Sequence, residues 1–173
     1  MKTVLTAVLP LLSALTMNAQ ILLEAESFDH RGGWVVDHQA FNKIGSSYLN
    51  AHGLGFPVSD AFTDIEVESP GNYHVYVCTY NWTAPWYKGD GPGAFNVIVN
   101  DQTLPVNLGV KGDSWEWQYA GHARLTEKTR VALHDLTGFN GRVDAVYFSK
   151  SKTAPPSGFD GLGKFRNAMH GLS

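Results

Sequence analysis

Apolar and polar residues alternate along much of the chain. In the segment 61–69, Ile65 and Val67 fall on one face and acidic residues on the other, and the segment 72–80 alternates in the same way. A period of two is typical of a strand with one buried face. Strand character extends to further segments: 21–27, 33–37, 94–100, 102–108, 115–125, 129–136 and 142–149. Short strands separated by turn residues predict an all-β fold, an antiparallel β-sandwich or jelly roll.

The two ends of the chain break this pattern. Residues 1–20 begin with Lys2, continue as an apolar run and end in small residues, as a secretory signal peptide does. Residues 21–150 then form one β-sandwich module, with its first and last strands close together. Residues 151–158 are predicted to be a linker, and the helical spacing of apolar residues in 159–173 predicts a short helix or the lead-in to a further domain.

Composition narrows the class of protein. The chain has 173 residues, a formal net charge of −3 and no basic stripe, which argues against a nucleic-acid partner. Its single cysteine, Cys78, lies in an alternating strand and is predicted to be a small buried side chain. Together with the signal peptide, this indicates a bacterial protein that is secreted or periplasmic, with no membrane span once the signal peptide is removed.

Sequence motifs of catalysis are missing. There is no G-x-S-x-G, no H-E-x-x-H and no P-loop. The glycines of 89–95 and 161–166 do not give a dinucleotide-binding pattern between a strand and a helix, so no FAD site is predicted in this chain. The carboxylates include no pair that the sequence singles out as an acid and a base. An enzyme in its own right is therefore the weakest of the functional alternatives.

The first strand carries two carboxylates on one predicted face. Glu24 and Glu26 are separated by two positions, and Asp144 in the last strand is expected nearby. Oxygen ligands of this kind suit calcium. The predicted metal site is therefore a structural calcium held by Glu24, Glu26 and Asp144, and the alternative is a solvated acidic face.

Tryptophan and planar polar residues form the richest functional pattern. Sugar rings present apolar C–H faces and a rim of hydroxyl groups, so they are bound by flat aromatic rings with hydrogen-bonding groups nearby. The alternative is that the tryptophans plug the ends of the sandwich. The predicted ligand-binding residues are Trp34, Asn81, Trp82, Trp86, Trp115, Trp117, Asn140 and Arg142.

The segment 80–93, "YNWTAPWYKGDGPG", carries two of these tryptophans among turn residues. Its prolines and glycines oppose a strand or a helix, and long ordered loops are usually functional. We expect Trp82 or Trp86 to be a solvent-accessible surface on which a ligand stacks.

Short motifs at both ends of the predicted sandwich resemble a known family. "LLEAESF" and "GRVDAVYFSK" are similar to the first and last strands of β-sandwich carbohydrate-binding modules of families six and thirty-five. The resemblance implies a galactose-binding-like jelly roll, a structural calcium near Glu24, Glu26 and Asp144, and sugar bound at the loop ends.

A second resemblance covers more of the chain. "EAESFDHRGGWVVDHQ", "YLNAHGLGFPV", "NWTAPW", "WEWQ" and "HDLTGFNGRVDAVYF" resemble the module that precedes the flavin domain of certain secreted bacterial FAD-dependent oxidoreductases, and also the golvesin and xanthan lyase binding domain. Two functions follow as expectations. The first is a non-catalytic module that binds a glycan or polysaccharide, and the second is an accessory domain acting beside a downstream catalytic domain.

Overall fold

A computed structural model describes residues 19–172, which form ten strands and two α-helices. The predicted signal peptide lies outside this range except for Ala19 and Gln20, and Gln20 already begins the first strand. In chain order the elements are β1 (Gln20–Glu24), β2 (Val35–Asp37), α1 (Phe41–Ile44), β3 (Tyr48–His52), β4 (Ala61–Glu66), β5 (Gly71–Thr79), β6 (Phe95–Val99), β7 (Gln102–Thr103), β8 (Glu116–Leu125), β9 (Lys128–Asp135), β10 (Phe139–Ser149) and α2 (Phe159–Met169).

The strands form two antiparallel sheets, which confirms the predicted β-sandwich. The larger sheet has six strands in the order β2-β3-β10-β5-β8, with β1 pairing to the same edge of β10 as β3. The smaller sheet has four strands in the order β4-β9-β6-β7. Residues 20–24 pair with 145–149, so the first and last strands are neighbours, as the sequence predicts.

The main hydrophobic core fills the space between the two sheets. One apolar face of each sheet points into it, and fully buried members include Val75, Val77, Val97 and Phe148. Burying a side chain of this size stabilises the fold by about 1.5–3 kcal/mol. The alternating strands predicted from the sequence supply most of this core.

Strand β3 was not among the predicted strands, and the reason is its burial. Residues 48–51 are all buried, because Leu49 and Ala51 face the core while Tyr48 faces a second apolar cluster on the other side of the sheet. Because the outer position 48 carries a buried tyrosine, the alternation of apolar and polar residues is confined to residues 49–52. This run is shorter than the alternation that identified the other strands.

Two short helices form a third layer on the outer face of the six-stranded sheet, the face turned away from the core. The second apolar cluster lies between them and that face, with Ile44 of α1, Leu162 of α2, and Tyr48, Cys78 and Trp115 from the sheet side. Cys78 is fully buried there, as predicted, and its burial raises the pKa of the thiol. The predicted short helix after the sandwich is confirmed as α2.

The turn before β10 is fixed by a buried carboxylate. Asp135 accepts hydrogen bonds from the backbone N–H groups of Val58 and Gly138, both at 2.9 Å, and of Thr137 at 3.2 Å. Gly138 has φ +69°, and a Cβ atom there would overlap the carbonyl oxygen of Phe56. Only glycine fits this close approach, which sets the start of β10 at one end of the sandwich.

Candidate functional site

The loop of residues 80–93 lies at the end of the sandwich where β10 begins. Asn81 is buried and its Oδ1 accepts a hydrogen bond from the Thr83 hydroxyl at 2.8 Å. Trp82 is half-buried, and its indole Nε1 donates to the carbonyl oxygen of Phe139 at 2.9 Å. The first residues of the loop are thus held against the start of β10. Beyond them, residues 85–90 are exposed.

Two tryptophans of this loop form a surface pair. The ring centroids of Trp82 and Trp86 are 6.4 Å apart with the planes at 65°. Trp86 is 78% exposed and the adjacent Tyr87 is also exposed. Most large aromatic side chains are buried, so this degree of exposure is unusual. The free ring face is available to a ligand.

Arg142 connects this loop to the outer face of the sheet. Its guanidinium carbon lies 5.9 Å from the centroid of the Trp82 ring and 5.8 Å from that of the Tyr48 ring. A cation at this distance from a ring centroid is attracted by the electron-rich face. The interaction holds Arg142 between the loop and a cleft that Tyr48 lines.

The cleft has a volume of about 790 Å³. Aromatic rings form much of its wall: the Trp115 ring contacts Tyr80, stacked with centroids 5.6 Å apart, and Tyr48, with centroids 5.0 Å apart. Phe159, the first residue of helix α2, also lines the cleft. The remaining lining residues are mostly polar: Gln39, Asn42, Lys43, Asp113, Ser114 and Arg142, with Ala40 and Gly158. A cleft of this size with aromatic walls and several polar groups is typical of small-molecule sites.

Three buried polar atoms of this face lack a hydrogen-bond partner among residues 19–172. They are Oδ1 of Asn50, Nε of Arg142 and the hydroxyl oxygen of Tyr48. Asn50 and Arg142 lie opposite each other in the register of β3 and β10. A buried polar atom without a partner lowers stability, and a ligand hydroxyl group that reached one of these atoms would remove that cost.

Tyr48 contributes a hydroxyl group to the same region. Tyr48 is fully buried, and burial raises its pKa to about 12. A tyrosine hydroxyl is protonated at neutral pH in any case, so this one can donate a hydrogen bond.

Asn140, the second residue of β10, lies next to the loop and is half-buried. Its backbone is left-handed, with φ +60°, and its Oδ1 accepts a hydrogen bond from Nδ1 of His52 at 2.7 Å. The bond ties the ends of β3 and β10 together beside the loop. The structure thus brings together six of the predicted ligand-binding residues at one end of the outer face: Asn81, Trp82, Trp86, Trp115, Asn140 and Arg142.

Trp34 and Trp117 lie elsewhere. Trp34 is in the core between the sheets, 2% exposed, with its ring edge-on to Phe95 at 5.8 Å. Trp117 is half-buried beneath α2, where its ring packs edge-on against Tyr147 and Phe165. Trp115 and Trp117 do pack against the same outer cluster, as their spacing predicts. Neither Trp34 nor Trp117 presents a free ring face to the cleft.

The predicted metal ligands occupy a different part of the outer face. Glu24 ends β1, but Glu26 is not on the same strand, because residues Ala25–Ser27 form a 3-10 helix. Burial raises the pKa of Glu26 to about 7. Glu24 and Asp144 do meet, and the guanidinium of Arg166 from α2 lies between them.

These residues do not fit a calcium ion while Arg166 is in place. Within residues 19–172, no group of three or more His, Cys, Asp and Glu side chains is arranged to hold a metal ion. Calcium needs six or more oxygen ligands around an open centre. In this arrangement the centre between Glu24 and Asp144 is filled by a cationic side chain.

Sequence reasoning missed Tyr48, Asn50, Tyr80 and Arg166. Tyr48 and Asn50 lie on β3, whose short alternation did not identify it as a strand, and Arg166 lies on a helix that the sequence does not connect to the sandwich. Tyr80 could have been found, since it follows Tyr76 and Cys78 at alternate positions on the outer face.

No protein-family model and no curated protein matches the sequence. The fold does match solved structures. The GH26-CBM35 β-(1,4)-mannanase of Podospora anserina has a TM-score of 0.60 at 20% identity, covering 80% of this chain and 29% of the mannanase. A family 35 carbohydrate-binding module of Clostridium thermocellum gives 0.57 at 17%, covering 75% of this chain and 96% of the module. A Paenibacillus xanthan lyase gives 0.57 at 16%, covering 78% of this chain and 13% of the lyase.

This likeness is a likeness of fold. The chain spans less than a third of the mannanase and most of the length of the bacterial family 35 module. The resemblance to β-sandwich carbohydrate-binding modules predicted from the sequence is thus confirmed in the fold, while the expected context beside a flavin domain stays a prediction. Across residues 19–172, no helix has the length and apolar character needed to cross a membrane.

Proposed function

We propose that this chain is a secreted, non-catalytic carbohydrate-binding module. Its site is the Trp82–Trp86 pair together with the cleft lined by Tyr48, Tyr80 and Trp115. The observation that carries the proposal is the position of Arg142, which contacts both aromatic groups and joins them into one surface. A fold shared with carbohydrate-binding modules supports it.

Binding would use two kinds of contact. The apolar C–H face of a sugar ring would stack on the exposed ring of Trp86, and a neighbouring sugar would enter the cleft beside Trp115. Hydroxyl groups of the sugars would bond to the Arg142 guanidinium and the Tyr48 hydroxyl, which both line the cleft, and to Oδ1 of Asn50 opposite Arg142 on β3. Because the aromatic surface and the cleft adjoin, the ligand class that suits them is an oligosaccharide or polysaccharide chain.

The test combines a glycan array with titration calorimetry. The best glycan from the array is titrated into the full chain, into Arg142→Met and into Arg130→Met. Arg130 is a matched control, because it is an exposed arginine on the four-stranded sheet, paired with Asp64 at 2.7 Å. We expect Arg142→Met to weaken binding at least tenfold and Arg130→Met to leave it unchanged.

Two results would contradict the proposal. If no glycan on the array binds the protein, the proposed function is wrong. Equal losses for both arginine variants would show that the affinity comes from overall charge and not from this site.

A further inference from the structure

Glu24 and Asp144 form an acidic pair on neighbouring strands. Glu24 ends β1 and lies opposite Ala145 in the register, next to Asp144 of β10. A register shift between Val143 and Ala145 marks an irregularity of β10 at Asp144. The Asp144 side chain is 0% exposed and also accepts a hydrogen bond from the Ser46 hydroxyl at 2.6 Å. Two carboxylates in such a place need a cation close by.

Arg166 of α2 supplies that cation with directed hydrogen bonds. Its Nε lies 3.0 and 3.1 Å from the two carboxylate oxygens of Glu24. One terminal nitrogen donates to the carbonyl oxygen of Ile44 at 2.6 Å, and the other bonds to Asp144. The planar guanidinium presents donors in several directions at once, so one side chain reaches three acceptor groups.

The contact is buried and brings together distant parts of the chain. The Arg166 side chain is 13% exposed, and 142 positions separate it from Glu24. Removing one partner of a buried charged group leaves the other without compensation, which costs far more than losing a surface ion pair. Arg166 is therefore a structural requirement of the Glu24–Asp144 pair and not an incidental surface contact.

We propose that Arg166 is the built-in cation of this site: it fills the place between Glu24 and Asp144 where a calcium ion would be expected, so the folded protein needs no calcium there. The guanidinium places one positive charge between the two carboxylates, where a calcium ion would place two, and it does so from a helix of the same chain.

A consequence is that the internal cation also fixes α2. Leu162 of the same helix is buried in the outer cluster, and Gly158 and Phe159 at its start line the cleft. Arg166 thus holds one wall of the cleft to β1 and β10. This inference does not depend on glycan binding, because its measurements need no ligand.

The experiment follows thermal melting of the full chain and of Arg166→Ala. Each protein is dialysed against a chelator and then melted in millimolar calcium or in sodium chloride of matched ionic strength. We expect the unsubstituted chain to melt at the same temperature in both. Arg166→Ala should melt on the order of 10 °C lower, since it leaves buried carboxylates unpaired, and calcium should restore part of that loss.

Two further variants keep the result interpretable. Arg130→Ala removes an exposed arginine bound to Asp64, and should show neither a large loss nor a response to calcium. Arg166→Lys keeps the charge without the planar fork, so it should melt between the unsubstituted chain and Arg166→Ala. If Arg166→Ala does not fold, Arg166→Gln, which also removes the charge, carries the test of the calcium response.

Several outcomes would overturn the proposal. The first is a fall in the melting temperature of the unsubstituted chain on chelation that calcium reverses. The second is an unchanged melting temperature for Arg166→Ala. The third is the absence of a calcium response specific to the Arg166 variant that folds, which would show that the carboxylates do not accept a calcium ion in place of the guanidinium.

Discussion

The two faces of the six-stranded sheet differ in what they bury. The inner face packs on the other sheet through apolar side chains such as Val75, Val77 and Phe148. The outer face carries aromatic rings mixed with polar and charged groups, among them Asn50, and α1 and α2 cover only part of it. The inner face therefore has the composition of a core whose role is stability, while the outer face retains polar atoms that stability alone does not favour.

The difference between the two faces gives tryptophan two different roles. A tryptophan on the inner face contributes packing, and one on the outer rim presents a ring to solvent. Substitutions can test whether stability and ligand binding divide along the same line.

The largest expected effect is on stability at Trp34. Trp34→Ala removes a large buried side chain from the core and should lower the free energy of unfolding by about 3–5 kcal/mol. Trp34→Phe, which keeps an aromatic ring, should lose much less. Denaturant unfolding measures both. Should Trp34→Ala keep its stability and lose glycan binding instead, the division between the two faces would be wrong.

An intermediate effect, on binding only, is expected at Trp86. Trp86→Ala removes the exposed ring and should weaken binding of the best array glycan by about 1–3 kcal/mol, the range of an interface hot spot. Its free energy of unfolding should change by less than about 0.5 kcal/mol, as for other surface substitutions. Phe62→Ala, an aromatic substitution on the four-stranded sheet, is the control for binding. A large loss of stability in Trp86→Ala would show that this ring has a structural role, like the tryptophan of the core.

The smallest effect is expected at Asn50. Asn50→Leu replaces a buried polar side chain, whose Oδ1 has no partner in the described part of the chain, by an apolar one of similar size. Stability should stay the same or rise by up to about 1 kcal/mol, because the uncompensated polar atom is removed. Glycan binding should weaken. Weaker stability with unchanged binding would indicate that Asn50 has a structural role on the outer face.

The sequence identified most of the sandwich because its strands alternate. The pairing of β1 with β10 and the burial of Cys78 were also predicted correctly. Strand β3 was not predicted, since its alternation is confined to residues 49–52. At the candidate site, the exposed position of Trp86 followed from the turn residues around it. The core position of Trp34 did not, because a glycine-rich approach gives no information on which way a ring points.

Local sequence thus determined which segments are strands, where the chain turns and which loop carries exposed aromatic rings. These properties depend on the conformation and burial of neighbouring residues, and periodicity reports both. Only the tertiary structure decided that Arg142 joins two aromatic groups, and that Arg166 fills the space between Glu24 and Asp144. The physical reason is that such contacts join residues far apart in the chain, up to 142 positions here, and are selected by packing and charge in the folded state rather than by any local pattern.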